Sequence, residues 1–240
     1  MSFADVERGF SQSVASDGRP PDRADWPETA ALRRIGAEFH ERGWSVGTSS
    51  NYSVVLGRDP LRLLVTASGK DKGRLTADDF VVVDAGGKPV GENHSKPSAE
   101  TMLHCLLAEK LPNVGAVLHT HSIWNTVLSD RFAHQGGFAI SSYEMLKGLC
   151  GVSSHEHEEQ IAVVDNTQDI AKLAKEVVRR IDGHDPALRH GFLIRRHGLY
   201  TWGRDLEEAY RHIEIFEFLF EVLGRSLSIQ SFSPSGLRAI

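Results

Sequence analysis

The apolar run Val114-Gly115-Ala116-Val117-Leu118 ends in His119-Thr120-His121, and Ser122 then opens a segment of helical character. Five residues are too few for a buried helix and suit a strand covered on both faces. In an extended chain, side chains two residues apart point the same way, so both imidazoles face one point at the end of that strand. Thr120 turns to the other face, and Ser122 caps the helix predicted over Ile123 to Ser129. A strand buried on both sides needs a layer above and a layer below, and helices interleaving with strands along the chain make these a mixed sheet with flanking helices, an α/β architecture.

The rest of the sequence supplies those layers. A helix is predicted from Glu28 to Arg42 on Ala31, Leu32, Ile35, Ala37 and Phe39, with Gly43 as its stop. Strands follow at Tyr52 to Leu56 and Leu61 to Thr66, joined through Gly57-Arg58-Asp59-Pro60, and at Phe80 to Asp84, which makes an antiparallel start. Beyond them the pattern gives a helix at Ser98 to Lys110, a strand at Phe138 to Ile140, a helix at Glu144 to Leu149 and a strand at Ile161 to Val164. Thr167 to Ile181 is helical, Phe192 to Arg195 and Leu199 to Trp202 are strands around Gly198, and a long helix runs from Asp205 to about Leu227. Glu214, Glu217 and Glu221 form one polar stripe on that helix, so it is amphipathic rather than membrane-spanning. Residues 1–25 are polar and turn-rich and read as a flexible leader, while residues 26–240 form a single domain undivided by any long linker. Neither a GxGxxG nor a P-loop pattern opens a helix.

Composition narrows the function. Thirty-two acidic against 27 basic residues give a net charge of -5, which favours neither nucleic acid nor an anionic membrane. Acids near the start, in Asp5 and Glu7, stand where an export signal needs bases. Cys105 and Cys150 are read as reduced core residues of a cytoplasmic protein. Twelve histidines are the unusual feature. A catalytic zinc site needs three protein ligands and an open position. His197 is the best third ligand, because Phe192-Leu193-Ile194 again leads to an imidazole followed by a glycine turn. Taken alone, a His-x-His pair serves as readily in a core or on a surface as at a metal. His155 and His157 form a competing pair, in a solvated acidic turn that no strand aims. His40, His104, His134, His184, His190 and His212 stand singly and are read as surface or capped histidines.

Three polar turns can present amides and hydroxyls to an anion: Gly47 to Asn51, Thr66 to Gly73, and Lys96 to Glu100 at a helix start. Each also fits an ordinary exposed turn. Glu144 sits at a helix start, where the dipole favours an acid, and would be the general acid/base if it faced the metal.

His119-Thr120-His121, the distant His197-Gly198, Ser98-Ala99-Glu100 and Thr48-Ser49-Ser50-Asn51 together resemble the class II aldolase/adducin family over roughly residues 27–227. The resemblance implies a three-layer α/β/α sandwich around a central mixed, largely antiparallel sheet, and a homo-oligomer, with a tetramer favoured. It implies that His119, His121 and His197 hold one Zn2+ per subunit and that Glu144 is the catalytic acid/base, with a pKa raised by a partly desolvated pocket. Asn51, Ser68, Gly69 and Ser98 match positions that hold a substrate phosphate, and Glu100 matches a carboxylate used at the metal. Ser50 replaces the glycine common before that Asn. The segments around Ser68, Tyr143-Glu144, Asp165-Asn166-Thr167 and His197 further imply a lyase that removes water from a 2-ketose 1-phosphate carrying a methylthio group at C5. Retro-aldol cleavage or epimerisation of another sugar phosphate would use the same site, and an adducin-like binding module would use none of it.

Overall fold

The computed structural model describes residues 23–91 and 95–231. The predicted leader up to residue 22 lies outside them, and Arg23–Asp25 forms one 3-10 turn ahead of the first helix. Among the described residues, eight strands form one sheet: β1 (Asn51–Arg58), β2 (Leu61–Thr66), β3 (Phe80–Asp84), β4 (Ala116–Thr120), β5 (Gly137–Ser141), β6 (Glu158–Val164), β7 (Gly191–Ile194) and β8 (Gly198–Gly203). Their order is β3-β2-β1-β4-β8-β7-β6-β5. Only β6 and β7 pair in parallel, so the sheet is mixed and largely antiparallel.

Among the described residues, five α-helices cover it: α1 (Pro27–Glu41), α2 (Thr101–Lys110), α3 (Ile123–Phe132), α4 (Ile170–Asp182) and α5 (Leu206–Ser231). Leu32, Ile35 and Phe39 of α1 and Ala209, Ile213, Phe216 and Phe220 of α5 bury one face of the sheet, with α3 packed beside α5. Leu103 and Leu107 of α2 and Leu173, Ala174 and Val177 of α4 bury the other. Strand β4 shows why the sequence selects this arrangement. Ala116 and Leu118 join the first cluster and Val117 the second, so a run apolar on both faces meets a helix layer on each. The alternation continues into the site: Thr120 faces α5, and His119 faces α2.

Several elements differ from the sequence reading. Helix α2 begins at Thr101 rather than Ser98, with Glu100 in the N-cap position. The preceding segment is tied to the end of β2 by an Ala67–Pro97 bridge and a bond from the Ser68 amide to the Lys96 carbonyl (2.9 Å), which hold it out of the helix. The helix predicted at Glu144 to Leu149 is a 3-10 turn, Glu144–Gly148, with Gly148 lying close against Ile215 of α5. On α5 the acidic stripe is not uniformly solvated: Glu217 is buried beneath α3. Phe216 and Phe220 are core residues, while Phe218 is 45% exposed. Cys105 is buried as expected, but Cys150, in the turn that follows the short 3-10 segment, is exposed. No described helix is long and apolar enough to cross a membrane.

Candidate metal centre and active site

His119 is the penultimate residue of β4, His121 is the first residue after that strand, and His197 occupies the tight β7–β8 connection. Strands β4 and β8 are neighbours, with His119 opposite Tyr200, so the distant histidine arrives beside the pair. Ligand nitrogens of all three lie within 4.8 Å of one another. His119 Nε2 is 2.7 Å from His121 Nε2 and 3.4 Å from His197 Nε2. His119 Nδ1 donates to the Leu199 carbonyl (2.8 Å), which fixes the tautomer and leaves a lone pair on the Nε2 that faces the other rings. Burial holds His119 and His121 well below the usual imidazole pKa, reinforced by the neighbouring rings, so both are neutral. Neutral imidazoles with converging lone pairs are the state a divalent metal requires, and three of them leave a coordination position open. The donor set therefore fits a metal.

Glu100 belongs to the same group. Its Oε2 lies 3.4 Å from His119 Nε2 and its Oε1 3.3 Å from His197 Nε2. The Asn51 side-chain amide (2.8 Å) and the Tyr200 hydroxyl (3.0 Å) both donate to Oε2. Tyr200 also stacks on His119, with ring centroids 4.0 Å apart, and burial beside Glu100 keeps its phenol protonated.

The phosphate-turn residues are drawn together, though unequally. Ser68 and Gly69 are exposed, and Gly69 has a left-handed φ of 69° that the turn requires. The bridge between Ala67 and Pro97 sets them beside Ser98, whose hydroxyl accepts the Glu100 amide at 3.4 Å. Asn51 is buried, with its amide committed to Glu100. Ser50, the residue that departs from glycine, is itself left-handed, at φ 70°. Glu144 is not in the histidine group. It is exposed, pairs with Lys147 and lies 3.5 Å from His155. Lys147 holds its carboxyl below the usual range, contrary to the raised pKa expected from the sequence.

Sequence reasoning missed Tyr200 and the burial of His104. His104 is fully buried and bonded to Asn51 rather than being a surface or capped residue. His190 and His212 are also buried: His190 bonds Glu159 and the Cys150 carbonyl, and His212 bonds the Trp202 carbonyl and the Cys150 amide. His157 pairs with the buried Glu159, so that turn is only partly solvated. The Lys72 ammonium donates to the Lys70 carbonyl, and burial brings its pKa down to about 8. The spacing of His104, four residues after Glu100 on one helix face, is a usable signal; the place of Tyr200 depends on contacts that no local pattern encodes.

A mixed sheet between helix layers brings three histidines together at the ends of adjacent strands, beside a carboxylate at the start of α2, and this donor set fits a metal. Residues 30–223 match the Class II Aldolase and Adducin N-terminal domain, and the chain belongs to that family. It is 46% identical over 192 residues to the methylthioribulose-1-phosphate dehydratase of Sorangium cellulosum (strain So ce56), covering 80% of this chain and 89% of that protein. It is also 46% identical over 196 residues to the protein of the same name from Pseudomonas fluorescens (strain Pf0-1), covering 82% and 91%. In fold it is similar to an L-fuculose 1-phosphate aldolase at a TM-score of 0.69 and 22% identity, covering 91% of this chain and 94% of that one.

Proposed function

We propose that this chain is a hydro-lyase that converts 5-methylthioribulose 1-phosphate to 5-methylthio-2,3-dioxopentyl phosphate and water, a step of methionine salvage. The observation that carries the reading is the convergence of His119, His121 and His197 beside Glu100, in a chain 46% identical over most of its length to proteins named for that reaction. A zinc ion held by the three histidines would supply Lewis acidity toward the substrate's ketone.

Glu144 is the proposed proton carrier. It removes the C3 proton and returns it to the C4 hydroxyl as the C4–O bond breaks, and the resulting C3 enol tautomerises to the 2,3-diketone. The ion pair with Lys147 keeps Glu144 ionised at the start, as a base must be. Glu100 is the second candidate, because its carboxylate is the one held at the rings. Ser68, Gly69 and Ser98, with Asn51 behind them, are proposed to hold the phosphate and so orient C3 and C4. A homo-oligomer, with a tetramer favoured, would cover the exposed Ile123, Val127 and Phe218. The free cysteines Cys105 and Cys150 suit the cytoplasm.

The test is turnover of 5-methylthioribulose 1-phosphate by zinc-loaded wild type, Glu144→Gln and Glu100→Gln, with zinc content measured for each. Wild type is expected to turn over, and Glu144→Gln to lose about 100-fold or more with zinc retained. Near-normal turnover by Glu144→Gln would transfer the proton role to Glu100. An inactive, zinc-loaded wild type would refute the assignment.

A further inference from the structure

From the hydrogen bonds behind the metal centre, we infer that His104 is a positioning residue that acts through Asn51 to hold the Glu100 carboxylate against the three histidines. The direction of each bond is forced. A carboxylate only accepts, so Asn51 turns its Nδ2 toward Glu100 Oε2 (2.8 Å) and its Oδ1 the other way. That Oδ1 meets His104 Nε2, which must therefore carry the ring's hydrogen. His104 is fully buried, and burial brings its pKa down to about 4, so the ring is neutral and has one N–H. Its Nδ1 accepts from the Ser53 hydroxyl at 2.7 Å. Ser53, His104, Asn51 and Glu100 thus form a one-way chain that ends on the carboxylate beside the ligand nitrogens.

The fold supports this chain from two elements. Asn51 and Ser53 lie two residues apart on β1 and face the same way, with Asn51 opposite His119 in the register. Glu100 and His104 lie one turn apart at the start of α2, so the helix spans the same gap. Without the His104 donor, the Asn51 amide is free to reverse and set its oxygen against Glu100. The carboxylate would then move from a place 3.3–3.4 Å from two ligand nitrogens.

The inference rests on the three histidines holding a metal, and its test reads metal binding rather than turnover. Zinc affinity is measured by competition with a chromophoric chelator on the full chain, for His104→Leu in the wild-type and Glu100→Ala backgrounds. Loss of an outer partner of a metal site costs about 10- to 100-fold in affinity, and His104→Leu is expected to lose that much with Glu100 present and little in Glu100→Ala. His104→Gln, which restores an N–H donor, is expected to recover most of the affinity. Ser53→Ala, a milder change that serves if His104→Leu fails to fold, is expected to lose about threefold. Equal losses in both backgrounds would show that His104 only supports the fold, and would overturn the inference. So would no loss in either background, or a wild type that binds no zinc. Failure of the dehydratase assignment would appear separately, as absent turnover by a protein whose zinc affinities follow the expected pattern.

Discussion

Thr120 lies between His119 and His121 but faces away from them, and its partner there is an acid. Glu217 Oε1 accepts from the Thr120 hydroxyl (3.0 Å) and from Asn125 Nδ2 (3.0 Å), and burial pushes its pKa up to about 7. A carboxyl raised in the folded state keeps a proton that the unfolded chain releases above its usual pKa near 4.5. The folded state is therefore penalised progressively as pH rises from about 4.5 to 7, and by a constant amount above that. Glu217→Gln removes the charge and keeps the shape. It is expected to match wild type near pH 4.5 and to be more stable at pH 8, by on the order of 3 kcal/mol at most. Urea unfolding at the two pH values measures this, and a difference independent of pH would contradict it. At this scale the three histidines were legible because each ends an apolar strand. Glu217 was not, since its place on a polar stripe gave no sign that α3 would cover it.

At the scale of elements, the site depends on how closely the β7–β8 connection approaches β4. A Cβ on Gly198 would fall on the Thr120 carbonyl oxygen and lie 2.8 Å from the His119 ring and 3.2 Å from the His121 ring. Gly198→Ala must therefore push β8 away from β4 and spread the three histidines. The expected result is a destabilisation of about 1–3 kcal/mol, the usual range for overpacking, together with a loss of zinc affinity of at least about tenfold. Thermal melting and chelator competition read the two effects, and full zinc affinity in a folded variant would contradict the account. The strands and long helices were predictable from periodicity, including the antiparallel start and the strand pair around Gly198. The short segments were not. Ser98 to Glu100 and Glu144 to Gly148 have helix-forming residues, but tethering to β2 in one case and close packing on Ile215 in the other set their conformation.

Over the whole molecule, the sandwich brings residues separated by up to 146 positions, from Asn51 to His197, to one end of four adjacent strands or their connections. The resemblance to a family identified those residues, and the strand order explains why they meet. Glu144 is the exception, since its exposed place beside Lys147 follows from a surface turn rather than from the sheet. What the architecture must achieve is removal of water with the carbon chain intact, which separates dehydration from an aldol cleavage of the same substrate. Mass spectrometry of the product formed from 5-methylthioribulose 1-phosphate by the zinc-loaded protein tests this most directly. The account predicts a single phosphorylated product lighter than the substrate by one water; two carbonyl fragments, or an isomer of unchanged mass, would contradict it.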